Sequence, residues 1–169
     1  MRLRRLLPCM TIVCLAASVW AQDANRGDTE VTIKGKKISI NYGRPSLRGR
    51  DLLSLAPVGT VWRLGMNQAT QIDTAADLMV GGNEVKAGKY TLWLKKTGEN
   101  SWTLNFHPKT GVWGQPELRE GYVAELPLKL EKAAASAEQV QITLYGSKGN
   151  AMVSIQWGTQ LLSGSMGVK

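Results

Sequence analysis

The sequence predicts an all-β protein: a single-domain antiparallel β-sandwich, jelly-roll-like, with little helix. Three observations lead there. Apolar residues recur with period two through most of the chain, clusters of Gly, Asn, Ser and Lys interrupt them at roughly ten-residue spacing, and no stretch keeps a helical period for more than a turn or two. Alternation of that kind marks strands with one buried and one solvated face, which pair antiparallel.

The elements follow in order. Residues 1–21 read as a cleaved export signal. Arg2, Arg4 and Arg5 precede an apolar stretch from Leu6 to Val19, too short to span a bilayer, and Val19-Trp20-Ala21 suits signal peptidase cleavage after Ala21. Without it 148 of the 169 residues remain, both cysteines (Cys9 and Cys14) are gone, and the net charge falls from +8 to +5. An exported domain without disulfides needs a full apolar core, and this length permits one. The mildly basic surface is spread along the chain and argues against nucleic acid. No later apolar run reaches membrane length, so a soluble periplasmic or extracellular protein is expected.

Residues 22–30 read as a flexible, polar start that includes Arg26-Gly27-Asp28, and residues 31–165 as the sandwich. Within it Ile38, Ile40 and Tyr42 alternate with Lys37, Ser39 and Asn41. Tyr90, Leu92 and Leu94 do so with Thr91, Trp93 and Lys95, and Trp102, Leu104 and Phe106 with Thr103, Asn105 and His107. Val140, Ile142 and Leu144, then Val153, Ile155 and Trp157, complete the set. Gly81-Gly82-Asn83, Thr97 to Asn100 and Gly146 to Asn150 are the turns. Tyr122 to Leu130 is a further strand, placed at a sheet edge because Pro127 cannot donate to a ladder. Asp51 to Leu55 makes a short helical turn stopped by Pro57, and alanine-rich Lys132 to Glu138 reads as a helical turn or a loose link.

The chemistry concentrates between residues 42 and 70. Tyr42-Gly43-Arg44-Pro45, Arg48-Gly49-Arg50 and Gly59-Thr60-Val61-Trp62-Arg63-Leu64-Gly65-Met66-Asn67-Gln68-Ala69-Thr70 crowd guanidinium groups and turn residues into connecting segments. Arg44, Arg48, Arg50 and Arg63 have two readings. Paired with Asp51, Asp73 or carbonyls they fasten loops to the sandwich; converging on one surface they bind carboxylate, phosphate or sulfate through their planar forks. Asn67 and Thr70 add hydrogen-bonding capacity or satisfy turn backbone. Trp62 is the more buried aromatic of the group, Tyr42 is core, and Trp113 and Trp93 are the plausible exposed stacking surfaces.

These motifs resemble the bacterial domain-of-unknown-function 2911 family. Ala87-Gly88-Lys89-Tyr90-Thr91-Leu92, Trp102-Thr103, Trp113-Gly114 and Trp157-Gly158 extend the likeness over residues 31 to about 163. The resemblance implies an exported all-β protein and carries no activity with it. Gln68 stands where the family usually has Glu, and Lys86 where Pro is frequent, so no carboxylate role transfers to position 68.

Candidate catalytic chemistry is thin. His107 is the single histidine and reads as a surface residue at a strand end; a zinc or copper site would need a cluster. Ser101, His107 and Asp73 form a triad only on paper, and Asp73, Asp77 and Glu84 are the carboxylates a glycosidase would draw on. No phosphate loop, dinucleotide fingerprint, CxxC or calcium loop occurs, so no cofactor or metal is expected. The expected function is a non-catalytic binding or structural module. Its ligand would be polar or anionic, such as a carboxylated glycan fragment, or it would engage an envelope partner protein. Arg44, Arg48, Arg50, Arg63, Asn67 and Thr70, with Trp62 or Trp113, are its contacts. The alternative is an extracytoplasmic hydrolase using carboxylates or His107.

Overall fold

The computed structural model describes residues 25–50, 52–113 and 120–169. The export signal and Asp51 therefore lie outside the described residues. Ten strands run β1 Arg26–Ile33, β2 Lys36–Gly43, β3 Val61–Trp62, β4 Gln71–Thr74, β5 Leu78–Val80, β6 Asn83–Val85, β7 Gly88–Lys96, β8 Trp102–His107, β9 Ala124–Ser147 and β10 Asn150–Val168. One helical turn, α1 Leu52–Leu55, lies between β2 and β3. All pairing is antiparallel in the order β1-β2-β4-β7-β8-β9-β10-β5-β6, with β3 added beside β7, and the sheet folds back on itself without closing. The expected all-β sandwich holds.

Three hairpins turn on pairs of left-handed residues, Lys34-Gly35, Gly81-Gly82 and Lys148-Gly149, the geometry that matches strand twist. The first begins earlier than expected: residues 26–30, read as a flexible start, are the first part of β1 and pair with Gly43 to Ser39. Thr29 and Val31 supply the alternation that was missed there, and β10 likewise continues to Val168.

The fold depends on the length of β9 and β10. Their hairpin halves pair from Ser147 and Asn150 to Gln141 and Gln156, and lie over β1, where Leu144 N donates to Thr29 Oγ1 at 2.9 Å. Their other halves join the main sheet beside β8 and β5. Between the halves the register slips: Gln141 to Ala137 faces only Gln156 to Gly158, and Ala137 to Lys132 faces only Gly158 to Gln160. This is a bulge, which bends and twists a strand. The alanine-rich stretch 132–138 is therefore bulged strand rather than helix or loose link. Gly158 takes the left-handed conformation at the bend (φ 63°), and Gln156 Nε2 donates to Ala135 O at 2.7 Å, holding the bulge in place. Helix propensity of alanine is a weak preference, and two strands paired on both sides of it override it.

Pro127 also differs from expectation. Its strand lies between β8 and β10, not at an edge, and Pro127 faces Thr103. The ladder of β10 to β9 ends at Ser163 and Lys129, short of Pro127, so no paired residue of β10 faces the position that lacks an N–H.

Ile38, Ile40, Ile72, Leu92, Leu94, Leu104 and Phe106 pack against Val140, Ile142, Val153 and Ile155 in one buried core. Each large side chain so buried contributes about 1.5–3 kcal/mol. The outer face of β7 and β8 is covered as well. The segment after β8 doubles back, with Thr91 Oγ1 donating to Lys109 O at 3.0 Å and Tyr122 meeting the His107 ring edge-on at 6.1 Å. Trp93, expected as an exposed stacking surface, is buried and donates its indole N–H to Thr91 Oγ1 at 3.1 Å, the hydroxyl that itself reaches Lys109 O. His107 is buried too, beside Gly121 and Tyr122, not a surface residue.

Candidate functional site

The segment from Arg44 to Arg50 is held by its backbone. Arg44 N donates to Asn25 O at 2.7 Å, Leu47 N to Glu138 O at 2.8 Å, and Val140 N to Pro45 O at 3.1 Å, which fastens it to both β1 and β9. Arg48 N donates to Glu138 Oε1 at 3.1 Å, and Arg48-Gly49 turns through the left-handed region. These main-chain bonds fasten the segment to the sandwich. None of Arg44, Arg48 and Arg50 forms an ion pair with a described acidic residue. Arg50 Nε donates to Leu47 O at 3.3 Å, and Arg44 Nε is buried without a partner among the described residues. Asp73, a proposed partner, is taken by Lys89 at 3.2 Å.

These three arginines line one depression of about 280 Å³, together with Asn25, Ser46 and Met66. Three cations, none ion-paired with a described carboxylate, make it positive, and the one carboxylate shown beside the segment, that of Glu138, accepts from the Arg48 backbone. The structure thus brings Arg44, Arg48 and Arg50 together. It does not bring the remaining candidates to them. Arg63 is half-buried and lines no part of the depression. Trp62 stacks on Trp157 (centroids 5.1 Å, planes 11° apart) and walls a separate apolar groove of about 330 Å³ with Leu53, Leu55 and Trp102.

Thr70 is fully buried and its hydroxyl donates to Leu64 O, so it braces the loop from inside. Asn67 is exposed in a left-handed turn conformation (φ 60°). Trp113 is 59% exposed, as expected, and its backbone bridges Gln68. Asn25 and Met66 were not anticipated. Asn25 arrives through the β1–β2 hairpin, and Met66 because its backbone lies against Gly43, a contact no local pattern announces.

The residues considered for catalysis are occupied elsewhere. His107 Nδ1 accepts from Lys109 N at 3.0 Å, and burial, then the nearby Lys109 charge, lowers its pKa and keeps the ring neutral. Asp77 is held below the usual carboxylate range by the Ala87 amide and then Lys86, and Glu84 by Lys169 and then Lys86. These ion pairs are surface features that knit β5, β6 and the chain end. No group of three or more potential metal-ligating residues exists among the described residues, and no helix there is long and apolar enough to cross a membrane.

No curated protein and no solved structure matches this chain. A family model does, over residues 24–165, which takes in the arginine segment and every strand except the last residues of β10. The chain belongs to the DUF2911 family, whose members are described as proteins of unknown function.

Proposed function

We propose that this is an exported, non-catalytic binding protein whose ligand presents an anionic group to Arg44, Arg48 and Arg50. The observation that carries the reading is the convergence of three guanidinium groups, none ion-paired with a described carboxylate, on one depression whose backbone is already fastened. A guanidinium fork matches carboxylate, sulfate or phosphate with two parallel hydrogen bonds, and being more weakly hydrated than an ammonium it gives up its water to a bound anion more readily than a lysine would. Export is supported by the basic and apolar pattern of residues 1–21 and by the absence of cysteine after Cys14.

A thermal-shift titration with glucuronate, citrate, sulfate and phosphate tests it. At least one should raise the melting temperature of the wild type and not that of Arg44→Ala/Arg48→Ala. A hydrogen bond to a charged group is worth about 1.5–3 kcal/mol. Each arginine lost should therefore weaken binding roughly 10- to 100-fold. The reading fails if no anion shifts the wild type, or if the double variant responds equally.

A further inference from the structure

A second depression, about 310 Å³, lies on the solvent side of the main sheet, walled by Arg26, Ser39, Asn41, Gln68, Gln71 and Asp73. Its geometry follows from strand register. Asn41 stands opposite Gln71 and Ser39 opposite Asp73, and the four occupy alternate positions of β2 and β4. The apolar residues between them, Ile40 and Ile72, both point into the core. Period-two alternation therefore sets four polar side chains in a square on a rigid floor.

The charges of this floor are balanced internally. Arg26 Nε donates to Asn41 Oδ1 at 2.7 Å, and Asn41 Nδ2 donates to Asp28 Oδ1 at 2.6 Å, so Asn41 relays between a cation and an anion. Arg26 Nη1 also reaches Gln68 O at 3.4 Å. Asp73 is paired with Lys89. By contrast, the Ser39 hydroxyl and the Gln71 amide hydrogen-bond to no described residue and remain available. Along one wall the chain from Gly111 to Trp113 runs beside residues 68 and 69, where Ala69 N donates to Val112 O at 3.1 Å. Exposed Trp113 stands at its end.

We infer that this face binds a neutral polyhydroxylated ligand, the sugar units of an oligosaccharide. The groups presented are a hydroxyl, a carboxamide and a carboxylate, a mixture of donors and acceptors. A sugar hydroxyl donates and accepts at once and matches it, whereas an anion is repelled by Asp73 and a cation meets Arg26 and Lys89. An apolar ligand would leave the Ser39 hydroxyl and the Gln71 amide desolvated and unpaired, at about 1–3 kcal/mol each. The volume lies at the lower end of small-ligand sites, roughly 300–1,000 Å³. Exposed Trp113, next in the chain to lining residue Val112, is near enough to offer an aromatic surface with a polar edge to the C–H face of a pyranose ring that extends beyond the depression.

The test is a fluorescence and calorimetric titration of the purified protein with uncharged tetrasaccharides: cellotetraose, maltotetraose, xylotetraose and chitotetraose. At least one should bind and change tryptophan emission. Gln71→Ala/Asp73→Asn should weaken it at least about tenfold, which is about 1.4 kcal/mol. Trp113→Ala should lose the emission change, while Trp113→Phe retains binding. Arg44→Ala/Arg48→Ala should bind the same sugar normally, which separates this site from the anion site. Binding by none of the four at about 10 mM, where a site with Kd near 1 mM is almost saturated, overturns the inference. So does undiminished binding by folded Gln71→Ala/Asp73→Asn.

Discussion

Gly43→Ala is predicted to destabilise this protein although the substitution looks favourable. Gly43 is a strand residue outside the left-handed region, where Ala ordinarily stabilises by limiting the unfolded chain, by about 0.4–1 kcal/mol. A methyl group there would lie 2.3 Å from Met66 O and 2.6 Å from Met66 N. Ordinary contact needs at least 3.4 Å, so the loop backbone would have to retreat by about 1 Å. The loop cannot do so freely: Leu64 is fully buried and tied through its carbonyl to buried Thr70. Forced overpacking of this type costs about 1–3 kcal/mol. At roughly 2–4 °C per kcal/mol for a chain of this size, melting should fall by about 2–12 °C. Thermal melts followed by circular dichroism measure it. Gly49→Ala is the control, since a methyl there meets nothing within 4 Å and only the left-handed backbone (φ 72°) resists it. A Gly43→Ala protein that melts at or above the wild type refutes the reasoning.

Two further stability outcomes follow. His107 has a depressed pKa in the folded state, so below about pH 6.5 the unfolded chain binds more protons and stability falls as pH falls towards the folded value. Melting temperatures from pH 8 to 5 should therefore drop less for His107→Gln than for the wild type, and parallel curves would refute this. Asn105 is fully buried with neither amide atom hydrogen-bonded to a described residue, so Asn105→Val should remove a desolvation penalty of about 1–3 kcal/mol and raise the melting temperature. A fall of several degrees would show that the amide is satisfied by an internal water.

The two faces of each strand were legible in the sequence, but what covers the second face was not. Ile38, Ile40 and Tyr42 are buried because alternation is a local property that β-strand geometry turns directly into a face. Trp93 and His107 sit on the opposite face, where the same rule predicts exposure. Both are buried all the same: Tyr122 returns against the His107 ring, and Lys109 returns to Thr91, the partner of the Trp93 indole, contacts without local periodicity. The arginines divide along the same line. Arg44, Arg48 and Arg50 converge because six residues of chain keep them together. Trp62 and Arg63 belong to the next connection, and β3 docks on β7 and carries them off: Trp62 faces Leu94 and stacks on Trp157. Arg26 went unread as a site residue because its segment looked like a tail; pairing with Gly43 brings it beside Asn41.

The loop from Arg63 to Thr70 joins the two depressions. Met66 lines the arginine depression and Gln68 the polar one, two residues apart. Neither side is independently supported, because the same bonds fix both: Thr70 to Leu64 inside the loop, Ala69 N to Val112 O on one flank and Arg26 to Gln68 O on the other. The close approach at Gly43 sets the position of the whole assembly relative to β2. A short connection between two-residue β3 and four-residue β4 would otherwise be a poor place for binding groups, since loops gain precision only from the elements that hold them. Here the glycine before the arginines allows the loop to lie directly on the strand. That is the physical use of a Tyr-Gly-Arg-Pro sequence at this position: Tyr42 anchors in the core, Gly43 admits Met66, and Arg44 emerges at the depression the contact creates.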